Sequence, residues 1–306
     1  MVDTSGKGPL ANGSTFTSNF FAKSTVSSKT CPSQRPDCNF GSKTDIFSGV
    51  NSNYQGLVGQ ISHRLTHNLQ FMANYTWSHA LDYGENNQTG TSANALVDPT
   101  NLRAEYGNSN QNVPNRFVLT AVATAPWHYT GWKSYLLNEY EISPNFSAQS
   151  GLPYSLATSG TLSTGLVNGA QLNAVGSGAN GSGGTGTVNG TFRLPGFERN
   201  GLQQPNTNVL DLRLSKRFTV AERVKLELLG ESFNILNRQN VTSVNTTGYF
   251  IGTTTNSTKQ VTANLLTFNT SSANSALPLF GSVTNSNASG FTYTPRQVQL
   301  GIRAQF

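Results

Sequence analysis

Gln297-Val298-Gln299-Leu300-Gly301-Ile302-Arg303-Ala304-Gln305-Phe306 closes the sequence and decides how the rest is read. Its even positions are Val298, Leu300, Ile302, Ala304 and Phe306; its odd ones are Gln297, Gln299, Gly301, Arg303 and Gln305. Successive side chains of a strand point to opposite faces, so this strand has one apolar and one polar side. A half-buried strand of a soluble protein alternates as well. The distinguishing mark is an aromatic residue still in phase at the last position, since the ends of soluble domains are usually polar and frayed.

The same period recurs upstream. Residues 54–65 set Leu57, Gly59, Ile61 and Leu65 against Val58, Gln60, Ser62 and Arg64. After a turn at Thr66-His67-Asn68, residues 69–81 set Phe71, Ala73, Tyr75, Trp77 and Leu81 against Gln70, Met72, Asn74, Thr76 and Ser78, which predicts a hairpin. Residues 115–124, 132–147, 209–218 and 223–236 alternate too, and with 297–306 they make seven strands. The fourth places Trp132, Leu136, Tyr140 and Ile142 opposite Lys133, Glu139 and Glu141. Residues 126–131 and 219–222 are short turns, whereas long polar loops run at about 82–114, 148–208 and 237–295. Residues 1–53 read as a long irregular segment, with one irregular strand near 16–21 as the only candidate for an eighth.

Bulk properties fit long strands joined by polar loops. Only 11% of the 306 residues are charged, against about 25% in ordinary soluble domains. No run approaches the roughly 20 apolar residues of a membrane helix. Asn, Thr, Ser and Gly favour loops and turns, and 10% aromatics argue against a disordered chain. The net charge of +6 is spread thinly, so nucleic acid is not an expected partner. Cys31 and Cys38 lie close together in a Pro- and Ser-rich stretch, where a loop disulfide is favoured over two free thiols. A disulfide implies an oxidising compartment. Yet Met1 leads into Val-Asp-Thr-Ser-Gly-Lys without the apolar stretch of an export signal, so the chain is expected to lack its beginning.

Structureless loops beyond about 15 residues are uncommon in compact soluble domains. Regular alternation of tight turns with long loops is the pattern of transmembrane β-barrels, whose turns face the periplasm. The expected fold is therefore all-β: an antiparallel meander of about seven or eight long strands, forming part of an outer-membrane barrel over residues 54–306. Tyr54, Trp77, Trp127, Tyr129, Trp132, Phe218 and Phe306 fall at strand ends, where interfacial aromatic girdles sit. The alternating series Val298, Leu300, Ile302, Ala304 and Phe306 resembles the terminal strand that barrel-assembly machinery reads as an insertion signal.

Several blocks carry a more specific resemblance. Asn53-Tyr54-Gln55-Gly56-Leu57 and the run from Leu69 through Asn74-Tyr75-Thr76-Trp77-Ser78-His79-Ala80-Leu81-Asp82 are two of them. Asn101-Leu102-Arg103-Ala104-Glu105-Tyr106-Gly107, Asn115-Arg116-Phe117, Asp211 to Phe218, Phe233-Asn234-Ile235-Leu236-Asn237-Arg238 and Pro295 to Gly301 follow in order. Together they resemble the C-terminal part of the barrel of Oar-like TonB-dependent receptors, an acidobacterial type that carries a carboxypeptidase-regulatory-like domain. The resemblance implies outer-membrane localisation, lipid around the barrel, and transport of an unidentified substrate. It also implies a plug and further barrel strands, through which the TonB system acts. Such receptors have about 22 strands, so seven would be a fragment. A secreted β-rich adhesin or carbohydrate-binding module is the alternative. The place of the apolar side chains separates the two: outside a barrel, between the sheets of a sandwich.

Catalytic and cofactor chemistry is not expected. Gly176 to Gly181 matches a dinucleotide fingerprint, but more glycine follows where a phosphate-binding helix should begin. Glu139 and Glu141 share a strand face, as an acid/base pair would, yet lumen-facing polar residues explain them better. His63, His67, His79 and His128 are scattered, and Asp82-Tyr83-Gly84-Glu85-Asn86-Asn87 lacks the closing glutamate of a calcium loop. The chain is read as non-enzymatic, without cofactor or metal.

Overall fold

A computed structural model of the chain describes residues 2–3, 20–22, 48–84, 101–159, 166–167, 170–174, 193, 197–221, 224–255, 261–270, 278–287 and 294–305. Seven long strands form one antiparallel sheet, with the two-residue strand Gly107–Asn108 paired to the end of the second: β1 Asn53–Thr66, β2 Leu69–Asp82, β3 Asn115–Thr124, β4 Tyr140–Gln149, β5 Thr207–Ala221, β6 Val224–Phe233 and β7 Gln297–Gln305. Each pairs with its neighbour in sequence, giving a plain meander from β1 to β7. Among the described residues β1 pairs only with β2 along its length, β7 only with β6, and the sheet is open.

Local chemistry sets the hairpins. β1 and β2 meet at His67 and Asn68, whose φ angles of 48° and 63° are the two positive values a tight hairpin turn requires. The Asn68 amide donates to the Ala125 carbonyl at 3.2 Å, tying this turn to the end of β3. Register then aligns the faces. Leu57, Trp77 and Tyr75 lie beside Gly59 and Phe117 on one face, and the row continues through Leu119, Phe146, Leu210, Leu214, Leu228 and Ile302. The opposite face carries Asn74, Thr120, Asn145, Arg213, Glu231 and Gln299.

The fourth strand begins later than its sequence suggests. Trp132–Leu137 is a short helix, α1, and β4 starts only at Tyr140. Consequently Glu139 is not on the strand face of Glu141: it sits in the turn before β4 with a φ of 57°.

The long loops are also not bare coil. Thr247–Thr255 and Val261–Phe268 form a hairpin, and Ala157–Ser159 joins it in parallel. Leu202–Gln203 pairs with Pro153–Tyr154, and Ser243–Val244 with Val283–Asn285. Leu156 and Tyr249, both 0% exposed, centre an apolar cluster with Phe197, Leu202, Phe268 and Phe280. That cluster lies in the loops, not against the large sheet. Of the segment expected to be irregular, Phe20–Ala22 pairs with Leu172 to Ala174 outside the seven-stranded sheet. The rest of the predicted strand near 16–21, Cys31, Cys38, the whole Gly176 to Gly190 run and Phe306 lie outside the described residues.

Candidate functional site: a polar face with a locked loop end

The polar face of the sheet is crossed by charged rows. Arg217 on β5 stands between Glu141 on β4 at 3.1 Å and Glu227 on β6 at 3.5 Å. Two pleat repeats further along, Arg213 faces Glu231 at 3.8 Å, and the Gln299 amide donates to Glu231 at 2.5 Å. Partly exposed pairs of this kind each contribute little stability. They do make one face a hydrophilic wall, to which Glu141 belongs.

At the long-loop end the polar groups are buried. Asp82, the last residue of β2, and Glu105, in the Leu102–Glu105 turn, each meet an arginine from the 148–208 loop. Arg193 Nη2 donates to Glu105 Oε2 at 2.8 Å. Arg199 donates through Nη2 to the Asp82 carboxylate and to the Asp82 carbonyl at 2.6 Å, and through Nε to the Glu105 carbonyl at 2.8 Å. Burial pulls the Arg193 guanidinium below its ordinary pKa, Glu105 opposes the fall, and neighbouring Arg199 adds to it. Arg193 Nε and Nη1 have no partner among the described residues. Asn200, with a φ of 55°, completes the lock. Its amide donates to the Asn108 carbonyl and to Asn110 Oδ1, both at 2.7 Å, and Asn108 donates back to its carbonyl at 3.0 Å. Gly107 has no room for a side chain: a Cβ there would lie 2.6 Å from the Arg199 carbonyl oxygen.

A second corner fixes the entry to β7. Asn234, at a φ of 47°, donates to the Arg238 carbonyl at 2.9 Å and to the Thr294 carbonyl at 3.0 Å, and its Oδ1 accepts from the Arg238 amide at 3.0 Å. Asn237 Oδ1 accepts from the Arg296 amide at 3.2 Å. The Phe233 to Arg238 block thus binds the start of one long loop to its end.

The histidines do not meet. His63 stacks on Phe71 with centroids 5.6 Å apart, His67 occupies the β1–β2 turn, His79 bonds Asn108 at 3.1 Å, and His128 lies in the β3–β4 connection. Asp82 is engaged by Arg199, and Glu85 to Asn87 lie outside the described residues. Val298, Leu300 and Ile302 of the terminal series are 68%, 86% and 73% exposed along the edge strand, and Ala304 is exposed beside them. Sequence reasoning missed Arg193, Arg199 and Asn200 because their partners are 88 to 117 residues away.

The apolar face of the sheet remains open. Leu57, Ile61, Leu300 and Ile302 are each at least 67% exposed, while the buried residues are mostly polar and gathered in the loops. That is the inverse of a soluble sandwich, whose apolar residues lie between sheets. It is the distribution of a sheet that meets lipid. No helix among the described residues is long and apolar enough to cross a membrane, which leaves crossing to the strands. No curated protein and no solved structure matches the chain. A family model described as an outer membrane beta barrel domain matches residues 11–299. With its exposed apolar face, its polar wall and this match over most of its length, the chain belongs to the outer membrane beta barrel domain family and is an outer-membrane protein.

Proposed function

We propose that the chain is the C-terminal part of the barrel of an Oar-like TonB-dependent receptor that imports an unidentified substrate, and that it has no enzymatic role. The observation that carries this reading is the placement of the resemblance blocks. They fall in order along the meander, and Leu69 to Asp82 ends in, and Asn101 to Gly107 contains, a carboxylate that Arg199 or Arg193 engages. A locked loop end above a polar wall suits a protein that holds its entrance in a fixed shape while solute passes along the inner face. In this reading the terminal series Val298, Leu300, Ile302, Ala304 and Phe306 is recognised by barrel-assembly machinery. A plug and further strands complete the lumen, and the TonB system acts through them.

The test is to extract the chain from outer membranes with an antibody against residues 297–306 and to sequence the captured polypeptide by mass spectrometry. Peptides of a plug and of additional strands are expected on the same polypeptide. A captured band near 32.8 kDa without them overturns the receptor reading.

A further inference from the structure

The β3–β4 connection does more than turn. Helix α1 turns Trp132, Tyr135 and Leu136 outward, at 71%, 64% and 56% exposure. It is held against the short-turn end of the sheet by three contacts. Lys216 Nζ donates to the Asn138 carbonyl, the Trp127 indole donates to the Leu137 carbonyl at 2.6 Å, and the Arg217 amide donates to the Glu139 carbonyl at 3.2 Å. Lys216 shares the face of Leu214 and Leu228, so it is a cation on the apolar side. Its ammonium rests 5.0 Å from the Tyr140 ring centre and 4.9 Å from that of Phe218. Between α1 and the sheet lies a cleft of about 470 Å3, lined by Tyr135, Phe218, Thr219, Leu226 and Leu228. Its volume falls in the range of about 300–1,000 Å3 typical of small-molecule sites.

We infer that this cleft seats one acyl chain of a membrane phospholipid, with the headgroup at the level of α1. The cleft is continuous with the face that meets lipid, through Leu228 and Ile302, so the hydrocarbon around the barrel is what reaches it. Its walls are mostly apolar, with no charged side chain among Tyr135, Phe218, Thr219, Leu226 and Leu228, which suits a hydrocarbon chain. Exposed Lys133 on α1 stands at the same end, where phosphate groups lie. Trp127, Tyr129 and Trp132 have the apolar body and polar tip that favour the interface. This inference needs only the outer-membrane barrel and is independent of what the receptor transports.

The experiment uses the whole polypeptide that contains this chain, extracted from outer membranes in mild detergent, delipidated, and then incubated with phosphatidylethanolamine and phosphatidylglycerol. Native mass spectrometry counts the lipid retained. About one phospholipid per polypeptide is expected to survive washing. Leu226→Trp, which fills the cleft, and Tyr135→Ser, which removes one wall, should each lower retention about tenfold, the scale of one buried aromatic ring. Ile61→Trp, on the same face in β1 and away from the cleft, should retain lipid as the parent does. Equal losses from all three variants would mean unspecific surrounding lipid, and unchanged retention in both cleft variants would mean an empty cleft; either overturns the inference. Heat-modifiable migration checks that each variant is folded, and two cleft variants of opposite volume keep the test decisive if one fails.

Discussion

Arg199 joins two segments that would otherwise be separate loops. Its planar fork reaches the Asp82 carboxylate and carbonyl with one nitrogen and the Glu105 carbonyl with another. A lysine at that position keeps the charge and loses the fork, so substitution is not conservative. Arg199→Ala leaves the buried Asp82 carboxylate unpaired, a change that costs about 3–5 kcal/mol where no relaxation intervenes. The loop end should then open while the strands stay paired. Limited trypsin digestion of the assembled protein reads this directly, because Arg103 lies in the locked segment. Cleavage after Arg103 should accelerate by at least about tenfold, which is the equivalent of only about 1.4 kcal/mol of opening free energy. An unchanged rate would show that Arg199 is not the tie. Gly107→Ala tests the same lock from the backbone side. Its Cβ would stand 2.6 Å from the Arg199 carbonyl, so digestion should accelerate without loss of any charge. The overpacking cost is about 1–3 kcal/mol.

At the scale of elements, the corner built by Asn234 sets where β7 begins. Replacing Asn234 with alanine removes two donors and an acceptor and leaves a residue that tolerates positive φ poorly. Roughly 3 kcal/mol of local stability should be lost, taking about 1 kcal/mol per hydrogen bond. The expected result is a lower yield of heat-modifiable protein, because register at the edge strand is then weakly specified. Yield equal to that of the parent would show that pairing of β7 with β6 alone fixes the register.

The seven strands were legible because period-2 alternation is a local signal, repeated over ten residues or more in most of them. Helix α1 was not, and the reason lies in its spacing. Trp132, Leu136 and Tyr140 are four apart, which places them on one face of a strand and also one above another on a helix. What decides between them is the Lys216 contact to Asn138, from 78 residues away. The loop end was illegible for the same reason. Asp82 and Glu105 were visible only as members of motif blocks, and Arg193 and Arg199 only as polar residues in a loop. Nothing in their local sequence states that they meet. The short strands within the long loops carry too few residues each for alternation to register, yet they enclose the Leu156 and Tyr249 cluster.

For the whole molecule, parity constrains how the sheet can close. An antiparallel meander of seven strands has β1 and β7 running in the same direction. The two edges therefore cannot pair with each other as antiparallel neighbours, and joining copies end to end repeats the same parallel junction. In a bilayer every strand edge needs a partner, so an antiparallel barrel built on this sheet requires an odd number of further strands. Even strand totals are the rule for bacterial single-chain barrels, which agrees. The prediction is made with paired cysteines in a background of Cys31→Ser and Cys38→Ser. Glu231→Cys with Gln299→Cys lies across the β6–β7 pair and should form a disulfide in the assembled protein. Val58→Cys with Gln299→Cys bridges the two edges and should form none if, as the receptor reading requires, further strands lie between them. If the second pair cross-links within one polypeptide, the sheet closes on itself through a parallel seam, and the chain makes a small barrel rather than a sector of a larger one.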